Sequence, residues 1–282
     1  MKIAIGVLAY RAPLVLAETV RHWPSDWQIY VHIDAKAEIA PFAALLDLPN
    51  VTILEQRFDA LWGGFKVVEA ELALMAAANH IDPEVFLLHS DDSVPLMTPA
   101  RTIRTLEDHQ RWIPMVPTDW DVILDRYDAA VCYDIRAINP QHSPGDRRFS
   151  ADDAASLVGL GALLQRGKIH LDGLFHRSQW KAVFGPDIPY ILDRYRADHQ
   201  MRESFRFSII PDEMYIPTIL GSKVGGSRLP DRYMWADFSM DPKPYLYREL
   251  SELAEPLRQE YMFVRKIHEP ALARQLLKQA SA

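Results

Sequence analysis

Residues 2–34, KIAIGVLAYRAPLVLAETVRHWPSDWQIYVHID, contain two largely apolar segments separated by a segment with helical spacing. The apolar segments, residues 2–10 and 27–34, predict buried strands. The intervening residues 12–22 predict a helix, which must end before Pro24 because proline cannot continue a helix. A strand, a helix and a second strand in this order predict the start of a mostly parallel sheet.

The same alternation continues through the first hundred residues. Residues 51–55 and 85–89 predict two further strands, and residues 65–80 (FKVVEAELALMAAANH) predict a helix that is rich in strong helix formers. Helices alternating with strands cover both faces of a parallel sheet, and ligands bind such sheets at the carboxyl ends of the strands. Polar residues gather at these predicted ends: Tyr10 and Arg11, His32 and Asp34, and His89, Ser90, Asp91 and Asp92.

The composition is that of an ordinary globular protein and argues against several classes. The 282 residues include 31 Lys and Arg against 38 Asp and Glu, a net charge of −7. This acidic balance argues against non-specific nucleic-acid binding, which needs a densely positive surface. The single cysteine, Cys132, excludes an internal disulfide framework and a zinc site built from cysteines. We see no signal peptide and no run of about 20 apolar residues, so we expect a soluble, cytoplasmic protein without a transmembrane segment.

The second half of the chain is less regular, and we expect one domain over residues 1–282. Residues 139–150 (NPQHSPGDRRFS) predict a polar surface loop. Residues 206–220 (RFSIIPDEMYIPTIL) predict a short strand, a turn and the start of a helix. Residues 249–255 and 270–279 predict the terminal helices.

Two acidic segments follow predicted strands, and each has a functional and a structural interpretation. Asp34 suits a hydrogen-bond acceptor for a nucleotide's ribose or base, or a cap for the next turn. Asp91 and Asp92 suit a divalent cation that bridges phosphates, since hard cations prefer carboxylate oxygens, or caps for a helix or turn. The residues themselves leave both pairs of alternatives open.

Later segments offer a base, two cations and an aromatic surface. Asp212 and Glu213, at a predicted helix start after an apolar strand, suit a general base or a favourable interaction with the helix dipole. Arg265 and Lys266 suit a phosphate, because arginine offers a planar fork and lysine a compact charge, or they form a solvated surface pair. Trp235 suits a platform for a sugar ring or a packing role in the core.

Taken in order, several motifs within residues 1–270 resemble the core-2/I-branching N-acetylglucosaminyltransferases and peptide O-xylosyltransferases of glycosyltransferase family 14. The motifs that carry the resemblance are the opening strand 3–10 and residues 31–34 (VHID), 61–65 (LWGGF), 87–96 (LLHSDDSVPL), 178–180 (SQW), 211–220 (PDEMYIPTIL) and 263–266 (FVRK). The resemblance implies an α/β fold of the GT-A-like class, with a Rossmann-like, mostly parallel sheet flanked by helices. It places a nucleotide-binding half over residues 1–100 and an acceptor-binding and catalytic half over residues 101–282.

The resemblance also implies an inverting transfer of a sugar, N-acetylglucosamine or xylose, from a UDP-sugar to an acceptor hydroxyl. Glu213 matches the family's general base, and Lys266 and Lys243 match basic positions that hold the donor's diphosphate. Asp34 matches a position that contacts the nucleoside, and Trp235 matches an acceptor-stacking position. The full set of predicted donor-binding residues is Tyr10, Asp34, Trp62, Gly63, Ser90, Asp92, Lys243, Arg265 and Lys266. The predicted acceptor-binding residues are Trp180, Asp212, Arg232 and Trp235.

Members of the core-2 branch work without a divalent metal, so the resemblance implies that no cofactor is required. Asp91 and Asp92 depart from the family's pattern and leave a bound Mg²⁺ or Mn²⁺ as the less favoured alternative. The missing Golgi anchor and cysteines suggest a bacterial-type, cytoplasmic member. Its expected partners are a nucleotide-sugar donor and a glycan, lipid-linked glycan or protein acceptor, without nucleic acid and with peripheral membrane contact left open.

Two other function classes stay open beside the transferase. A catalytically inactive homologue would bind a nucleotide or glycan without turnover, although both Glu213 and the pair of Arg265 and Lys266 are retained. A metal-dependent phosphoesterase would use a histidine and aspartate cluster, although such sites usually need more ligands at tight spacing. Its candidate residues are His32, Asp34, His89, Asp91 and Asp92.

Overall fold

The computed structural model describes residues 1–141, 150–223 and 226–281. The strands are β1 (Ile3–Ala9), β2 (Gln28–Ile33), β3 (Val51–Ile53), β4 (Val85–Ser90), β5 (Val94–Pro95), β6 (Trp112–Pro114), β7 (Ala182–Phe184), β8 (Arg228–Pro230), β9 (Met234–Ala236) and β10 (Phe263–Arg265). The helices are α1 (Pro13–His22), α2 (Lys66–Asn79), α3 (Pro99–Glu107), α4 (Asp121–Asp128), α5 (Ala151–Arg166), α6 (Asp187–Ala197), α7 (His199–Arg206), α8 (Tyr215–Gly221), α9 (Ala254–Arg258) and α10 (Pro270–Gln279). Short 3₁₀ turns occupy Ala40–Leu45, His109–Arg111, Pro211–Glu213 and Leu250–Leu253.

The central sheet has the strand order β3-β2-β1-β4-β7. Strands β1 to β4 are parallel, and β7 runs antiparallel to β4 at the edge. The four strands predicted in the first hundred residues are confirmed, as are the helices α1 and α2 between them. The α/β class with a mostly parallel sheet is therefore confirmed, and it agrees with a GT-A-like fold.

Alternation along β1 distributes its side chains between two apolar layers. Ile3, Ile5 and Val7 pack on one face with residues of α1 such as Leu16 and Val20. The opposite face, which includes Ala4, packs against α2, α6 and α8. Because successive residues of a strand point to opposite faces, a continuously apolar strand fits a sheet that is covered on both sides.

A second, three-stranded sheet joins the end of the chain to the central sheet. Its order is β5-β10-β9, with β10 antiparallel to β5 and parallel to β9. Strand β5 begins four residues after β4 ends, so the segment between them is shared by both sheets. The backbone N–H of Ile267 donates to the carbonyl of Asp92 over 2.9 Å. This arrangement places the residues that follow β10 beside the carboxyl ends of β1 and β4.

Some predictions for the second half are wrong. The segment directly before Asp212 is not a strand, because α7 continues to Arg206 and residues 207–210 form turns. The hydroxyl of Ser208 in that segment donates to the carbonyls of Ser204 and Tyr127, which favours a compact turn. The helix predicted at 249–255 is a 3₁₀ turn followed by α9, whereas α10 matches residues 270–279. The polar loop predicted at 139–150 lies mostly outside the described residues, and the single domain with two halves stays a prediction.

The Gly63-Gly64 pair allows α2 to begin against a carboxylate from a distant segment. Asp134 accepts hydrogen bonds from the first backbone N–H groups of the helix, at Phe65 and Lys66, each over 3.1 Å. A Cβ atom at Gly64 would lie 2.2 Å from Oδ1 of Asp134, and Gly63 adopts a positive φ of 71°. Glycine at both positions therefore lets the chain turn sharply and lets the cap approach closely.

We expect Gly64→Ala to lower the free energy of unfolding by about 1–3 kcal/mol, because the added methyl group must displace the Asp134 carboxylate. The matched control is Gly161→Ala in α5, where a new Cβ would meet nothing within 4 Å. That control should gain about 0.5–1 kcal/mol, since alanine favours a helix interior over glycine. Urea unfolding curves of the two variants measure both effects, and equal stability of the two would contradict the close approach.

Candidate functional site

The main cleft lies at the carboxyl ends of β1, β2 and β4, where ligands bind in parallel α/β sheets. Its volume is about 370 Å³. The walls are Leu8, Ala9, Tyr10, Arg11, His32, Asp34, Lys36, Ala60, Leu61, Trp62, Val67, Ser90, Asp91, Asp92, Asn139, Gln141, Gln179, Trp180, Arg265, Lys266 and His268. We call this space the edge cleft.

Most predicted donor-binding residues meet in the edge cleft. Those that line it are Tyr10, Asp34, Trp62, Ser90, Asp92, Arg265 and Lys266, together with the predicted acceptor residue Trp180. Gly63 lies next to the wall residue Trp62. Lys243, Asp212, Glu213, Arg232 and Trp235 are not among the wall residues.

Asp91 stabilises the loop that follows β1. Its Oδ2 accepts hydrogen bonds from the backbone N–H groups of Tyr10, Arg11 and Ala12 at 2.7, 2.7 and 2.8 Å. The side chain is buried, and this burial raises the pKa of Asp91 above its ordinary value. The carboxylate therefore serves the local backbone, in agreement with the capping interpretation of this residue.

Asp92 points to a different set of partners, on the C-terminal segment. One of its oxygens accepts a hydrogen bond from Nε of Arg265 over 3.2 Å, and the other lies 3.6 Å from Nε2 of His268. Burial opposes ionisation of Asp92, but the charge of Arg265 and the contact with His268 lower the pKa of Asp92 well below its ordinary value. The hydroxyl of Ser90 also donates to Asp92 over 2.5 Å. Asp92 is therefore an ionised, buried partner of two basic side chains.

Arg265 is held from three directions. Its Nε lies 3.1 Å from the hydroxyl of Ser90, and its guanidinium carbon lies 4.6 Å from the ring centroid of Trp180. A cation over an indole face is attracted by the ring's electron density. Trp180, predicted to bind the acceptor, thus contacts a cation that is predicted to bind the donor.

Lys266 is the cation with the fewest protein partners at this edge. Its ammonium group has no hydrogen-bond acceptor or ion pair among the described residues. Burial and the neighbouring charges of Arg265 and Arg11 lower the pKa of Lys266 from its ordinary value. An anionic ligand in the edge cleft would therefore be attracted both by the charge and by the unsatisfied N–H donors.

Asp34 and Lys36 form a compact pair on the opposite wall. The backbone N–H of Lys36 donates to Oδ1 of Asp34 over 2.9 Å, and the Lys36 ammonium donates to Oδ2 over 2.8 Å. Asp34 therefore caps the turn after β2 and lines the cleft at the same time. The position of Asp34 is therefore compatible both with contact to a nucleotide and with capping of the turn.

Two aromatic side chains stand partly exposed at the cleft. Tyr10 is 39% exposed and Trp62 is 46% exposed. Trp62 stacks on Tyr133 with the ring centroids 6.2 Å apart and the planes at 26°. The carbonyl of Trp62 accepts a hydrogen bond from Nδ2 of Asn139 over 2.8 Å, which fixes the loop that carries the indole. These rings give a base or a sugar ring an apolar surface to pack on.

Asp91 and Asp92 both have protein partners in place of a metal ion. Asp91 accepts from backbone N–H groups, and Asp92 faces Arg265 and His268. Across residues 1–141, 150–223 and 226–281, no group of three or more His, Cys, Asp or Glu side chains is arranged to hold a metal ion. The donor set that these residues present therefore fits a divalent cation poorly.

Of the two histidines of the phosphoesterase alternative, His32 lines the edge cleft with the aspartates and His89 does not. Burial lowers the pKa of His32 to about 4, and its Nε2 accepts from the backbone N–H of Phe58 over 2.9 Å. His89 is fully buried beside the ring of Phe263, and burial lowers the pKa of His89 to about 3. Both imidazoles are neutral near pH 7, and His89 lies in the core rather than in the edge cleft. The geometry does not support that alternative.

Glu213 occupies a polar position on the 3₁₀ turn before α8. Its Oε2 lies 2.9 Å from Nη1 of Arg126 and 3.3 Å from Nε2 of His176. Burial opposes ionisation of Glu213, but the hydrogen bond and charge of His176, followed by those of Arg126, lower the pKa of Glu213 below its ordinary value. Its other oxygen, Oε1, has no hydrogen-bond partner among the described residues, and the side chain is 29% exposed.

The backbone around Glu213 is attached to both neighbouring walls of the edge cleft. The N–H of Ile210 donates to the carbonyl of Gly63 over 3.2 Å, next to the wall residue Trp62. The carbonyl of Glu213 accepts from the N–H of Arg177 over 3.0 Å, two residues before the wall residue Gln179. Glu213 is therefore fixed between the segments that carry these two wall residues.

Asp212 faces the protein interior instead of the cleft. It is buried, and its Oδ1 has no partner among the described residues. Burial, with the negative charges of Glu213 and Glu71, raises the pKa of Asp212 to about 8. Near pH 7 its carboxyl group is therefore mostly protonated.

Three predicted residues lie away from the walls, each for a local reason. Trp235 on β9 pairs with Val264 on β10, so both side chains lie on the sheet face that packs toward α10. Arg265 follows Val264 in β10 and therefore points to the opposite face, toward the cleft. Arg232 precedes β9, at the end of that strand remote from Arg265, and its Nη1 donates to the carbonyl of Gln259 over 2.8 Å. Lys243 is exposed on the loop that follows β9 and is not among the wall residues.

The comparison with known families gives a match over residues 9–139, to the model described as Core-2/I-Branching enzyme. Residues 9–139 belong to the Core-2/I-Branching enzyme family. This is glycosyltransferase family 14, which confirms the predicted family, and the members of that family are glycosyltransferases. The comparison with curated proteins gave no match. Across the described part of the chain, no helix combines the length and the apolar character required to traverse a membrane.

The Core-2/I-Branching match spans the first part of the edge cleft. It includes Asp34, Trp62, Asp92 and Asn139, whereas Glu213 and the basic pair after β10 lie beyond it. Membership of a glycosyltransferase family implies a nucleotide-sugar donor and a glycan acceptor. The roles of individual residues stay predictions at this point.

The sequence analysis did not select several wall residues of the edge cleft as binding residues. They are Lys36, Asn139, Gln141, Gln179 and His268. Lys36 had a usable signal, because it follows the end of a predicted strand. Asn139, Gln179 and His268 come from segments remote in the chain, and only tertiary contacts place them at the same edge.

We expect Asp92→Asn to lower the free energy of unfolding by about 3 kcal/mol at pH 7, because it leaves the buried Arg265 charge without its partner. The pKa of Asp92 is lower in the folded than in the unfolded chain, so its contribution is complete above the ordinary aspartate pKa of about 3.9 and falls as the pH drops below it. Urea unfolding of the wild type and the variant between pH 7 and pH 3 measures both points.

The control for this experiment is Asp193→Asn, which removes a surface pair with Arg196 whose side chains are 75% and 65% exposed. That pair should contribute less than about 1 kcal/mol at any pH. If Asp92→Asn lowers the free energy of unfolding at pH 7 no more than the control does, the ion pair does not stabilise the edge cleft.

Proposed function

We propose that this glycosyltransferase moves a sugar, N-acetylglucosamine or xylose, from a UDP-sugar to a hydroxyl of a glycan or glycoconjugate, with inversion at the anomeric carbon. One observation carries the proposal. Lys266, a cation without a protein partner among the described residues, shares the edge cleft with Asp34 and with partly exposed aromatic rings. A nucleoside diphosphate combines the same features, since it has a polar, flat base at one end and two phosphates at the other.

The donor is proposed to lie across the edge cleft with its nucleoside toward β2. Asp34 would accept hydrogen bonds from the ribose or the uracil, and Tyr10 and Trp62 would supply apolar contact. The diphosphate would lie at the opposite wall, near Lys266 and Arg11. Arg265 is already paired with Asp92, so its proposed contribution is to hold Lys266 in place and add positive potential.

Glu213 is proposed as the general base. In support, its carboxylate is ionised at neutral pH, it is partly exposed, and Oε1 has no other hydrogen-bond partner among the described residues. Arg126 and His176 hold the opposite oxygen, so the base is oriented before substrate binds. A general base must be within hydrogen-bond reach of the hydroxyl that it deprotonates.

The proposed step is a single displacement. The acceptor oxygen forms a bond to the anomeric carbon while the bond from that carbon to the UDP phosphate oxygen breaks. The hydroxyl proton passes to Oε1 of Glu213, and the electron pair of the broken bond leaves with the diphosphate. Negative charge grows on the leaving phosphate, and a fixed cation such as Lys266 stabilises this charge more in the transition state than in the ground state.

The reaction is proposed to need no divalent metal. The support is that Asp91 and Asp92 already have other partners, while Lys266 is available to a phosphate. Lys243 is proposed as a second, peripheral cation, because its loop follows β9 near the same edge. A catalytically inactive homologue is the alternative, and the first experiment below separates the two.

We expect Glu213→Gln to lower kcat for sugar transfer by about 10²–10⁴-fold, because the amide cannot accept the hydroxyl proton. The dissociation constant for UDP should change less than about twofold, since Glu213 does not line the edge cleft. Transfer from a panel of UDP-sugars and calorimetric titration with UDP measure the two quantities.

The matched control is Glu107→Gln, an exposed glutamate at the end of α3, which should behave as wild type. Near-wild-type kcat in Glu213→Gln would refute the assigned base, and no transfer by the wild type with any donor would favour the inactive homologue.

We expect Lys266→Ala to raise the dissociation constant for UDP by about tenfold or more, because it removes the free cation beside the phosphates. Activity of the wild type should survive treatment with EDTA. Lys278→Ala, at an exposed position of α10, is the charge-matched control and should leave UDP binding unchanged. Loss of activity on chelation that Mn²⁺ restores would contradict the metal-independent mechanism.

A further inference from the structure

Trp120 is an exposed aromatic residue beside the proposed base. Its side chain is 62% exposed, whereas Trp23, Trp27 and Trp112 are buried in the core. Exposing a large apolar ring to water costs free energy that a bound ligand can recover. Neither the family match nor the predictions from the sequence assign a role to this residue.

The backbone of Trp120 is held by the helix that follows it. Trp120 is the residue before α4, and its carbonyl accepts hydrogen bonds from the N–H groups of Ile123 and Leu124 at 2.9 and 3.1 Å. Ile123 and Tyr127 anchor α4 in the core. The backbone that carries the exposed ring is therefore rigid, which reduces the entropy lost when a ligand binds.

Two independent contacts connect this position to Glu213. The rings of Trp120 and His176 have centroids 5.9 Å apart, and Nε2 of His176 lies 3.3 Å from Oε2 of Glu213. On the other side, Arg126 belongs to α4 and lies 2.9 Å from the same carboxylate oxygen. The exposed indole face and the proposed base are thus held in one local unit.

We propose that Trp120 is the platform of the acceptor subsite and that its ligand is a pyranose ring of the acceptor glycan. A pyranose has an apolar C–H face that packs on an indole and hydroxyl groups around its rim. The polar rim beside Trp120 consists of His176, Arg126 and Glu213, which offer donors and an acceptor to such hydroxyls. The assignment rests on the proposed function, and it gives the stacking role to Trp120 in place of Trp235, which faces α10.

The test is calorimetric titration with three disaccharides, lactose, N-acetyllactosamine and chitobiose, in the presence of UDP. We expect the wild type to bind at least one of them and Trp120→Ala to weaken that binding by about tenfold or more. Trp120→Phe should recover most of the affinity, because the smaller ring keeps an apolar face. Val122→Ala, which truncates a 59% exposed neighbour on α4, should bind as wild type.

Folding of each variant is checked by urea unfolding, where loss of an exposed side chain should have little effect. Equal affinity of Trp120→Ala and wild type, or no binding of any of the three disaccharides by the wild type, would overturn the subsite. These titrations need no turnover, so the two proposals fail separately. If Glu213→Gln keeps its kcat while Trp120→Ala loses disaccharide binding, the assigned base is wrong and the subsite is supported. If Glu213→Gln loses its kcat while Trp120→Ala keeps disaccharide binding, only the subsite is wrong.

Discussion

The buried ion pair between Asp92 and Arg265 joins the two sheets that make the edge cleft. Asp92 follows β4 of the central sheet, and Arg265 ends β10 of the small sheet. Their side chains are 8% and 13% exposed, so each charged group has lost most of its hydration and contacts the other charged group instead. Such a pair contributes little net stability, but removing one partner leaves a costly charge in the interior. Its main consequence is positional, because Lys266 follows Arg265 directly and is thereby fixed at the edge of the cleft.

Asp91 and Asp92 are neighbours in sequence and have opposite surroundings. Asp91 turns back to the N–H groups after β1, whereas Asp92 turns outward to Arg265 and His268. Two adjacent carboxylates therefore hold two different segments, one on each side of the strand end. Both carboxylates of this acidic pair thus have protein partners, and the proposed chemistry relies on Lys266 for the leaving phosphate.

The part of the edge cleft that is formed by strand ends was predictable because it depends on short-range patterns. Apolar strands followed by polar residues predicted Tyr10, Asp34, Ser90 and Asp92 at one sheet edge, and the structure brings them together. Trp235 could not be placed in this way, because its direction depends on its pairing with Val264. The role proposed for Trp120 had no signal in the sequence, since it depends on the contact with His176, more than fifty residues later in the chain.

The sequence by itself determined the α/β class, the strand and helix order of the first hundred residues and the family, because periodicity and local motifs are properties of adjacent residues. Only the tertiary structure decided which side of each element faces the cleft. It paired Asp92 with Arg265, left Lys266 without a partner among the described residues and set Glu213 between the segments of Gly63 and Arg177. These outcomes depend on which remote segments pack together, and a single residue of strand register reverses the direction of every side chain.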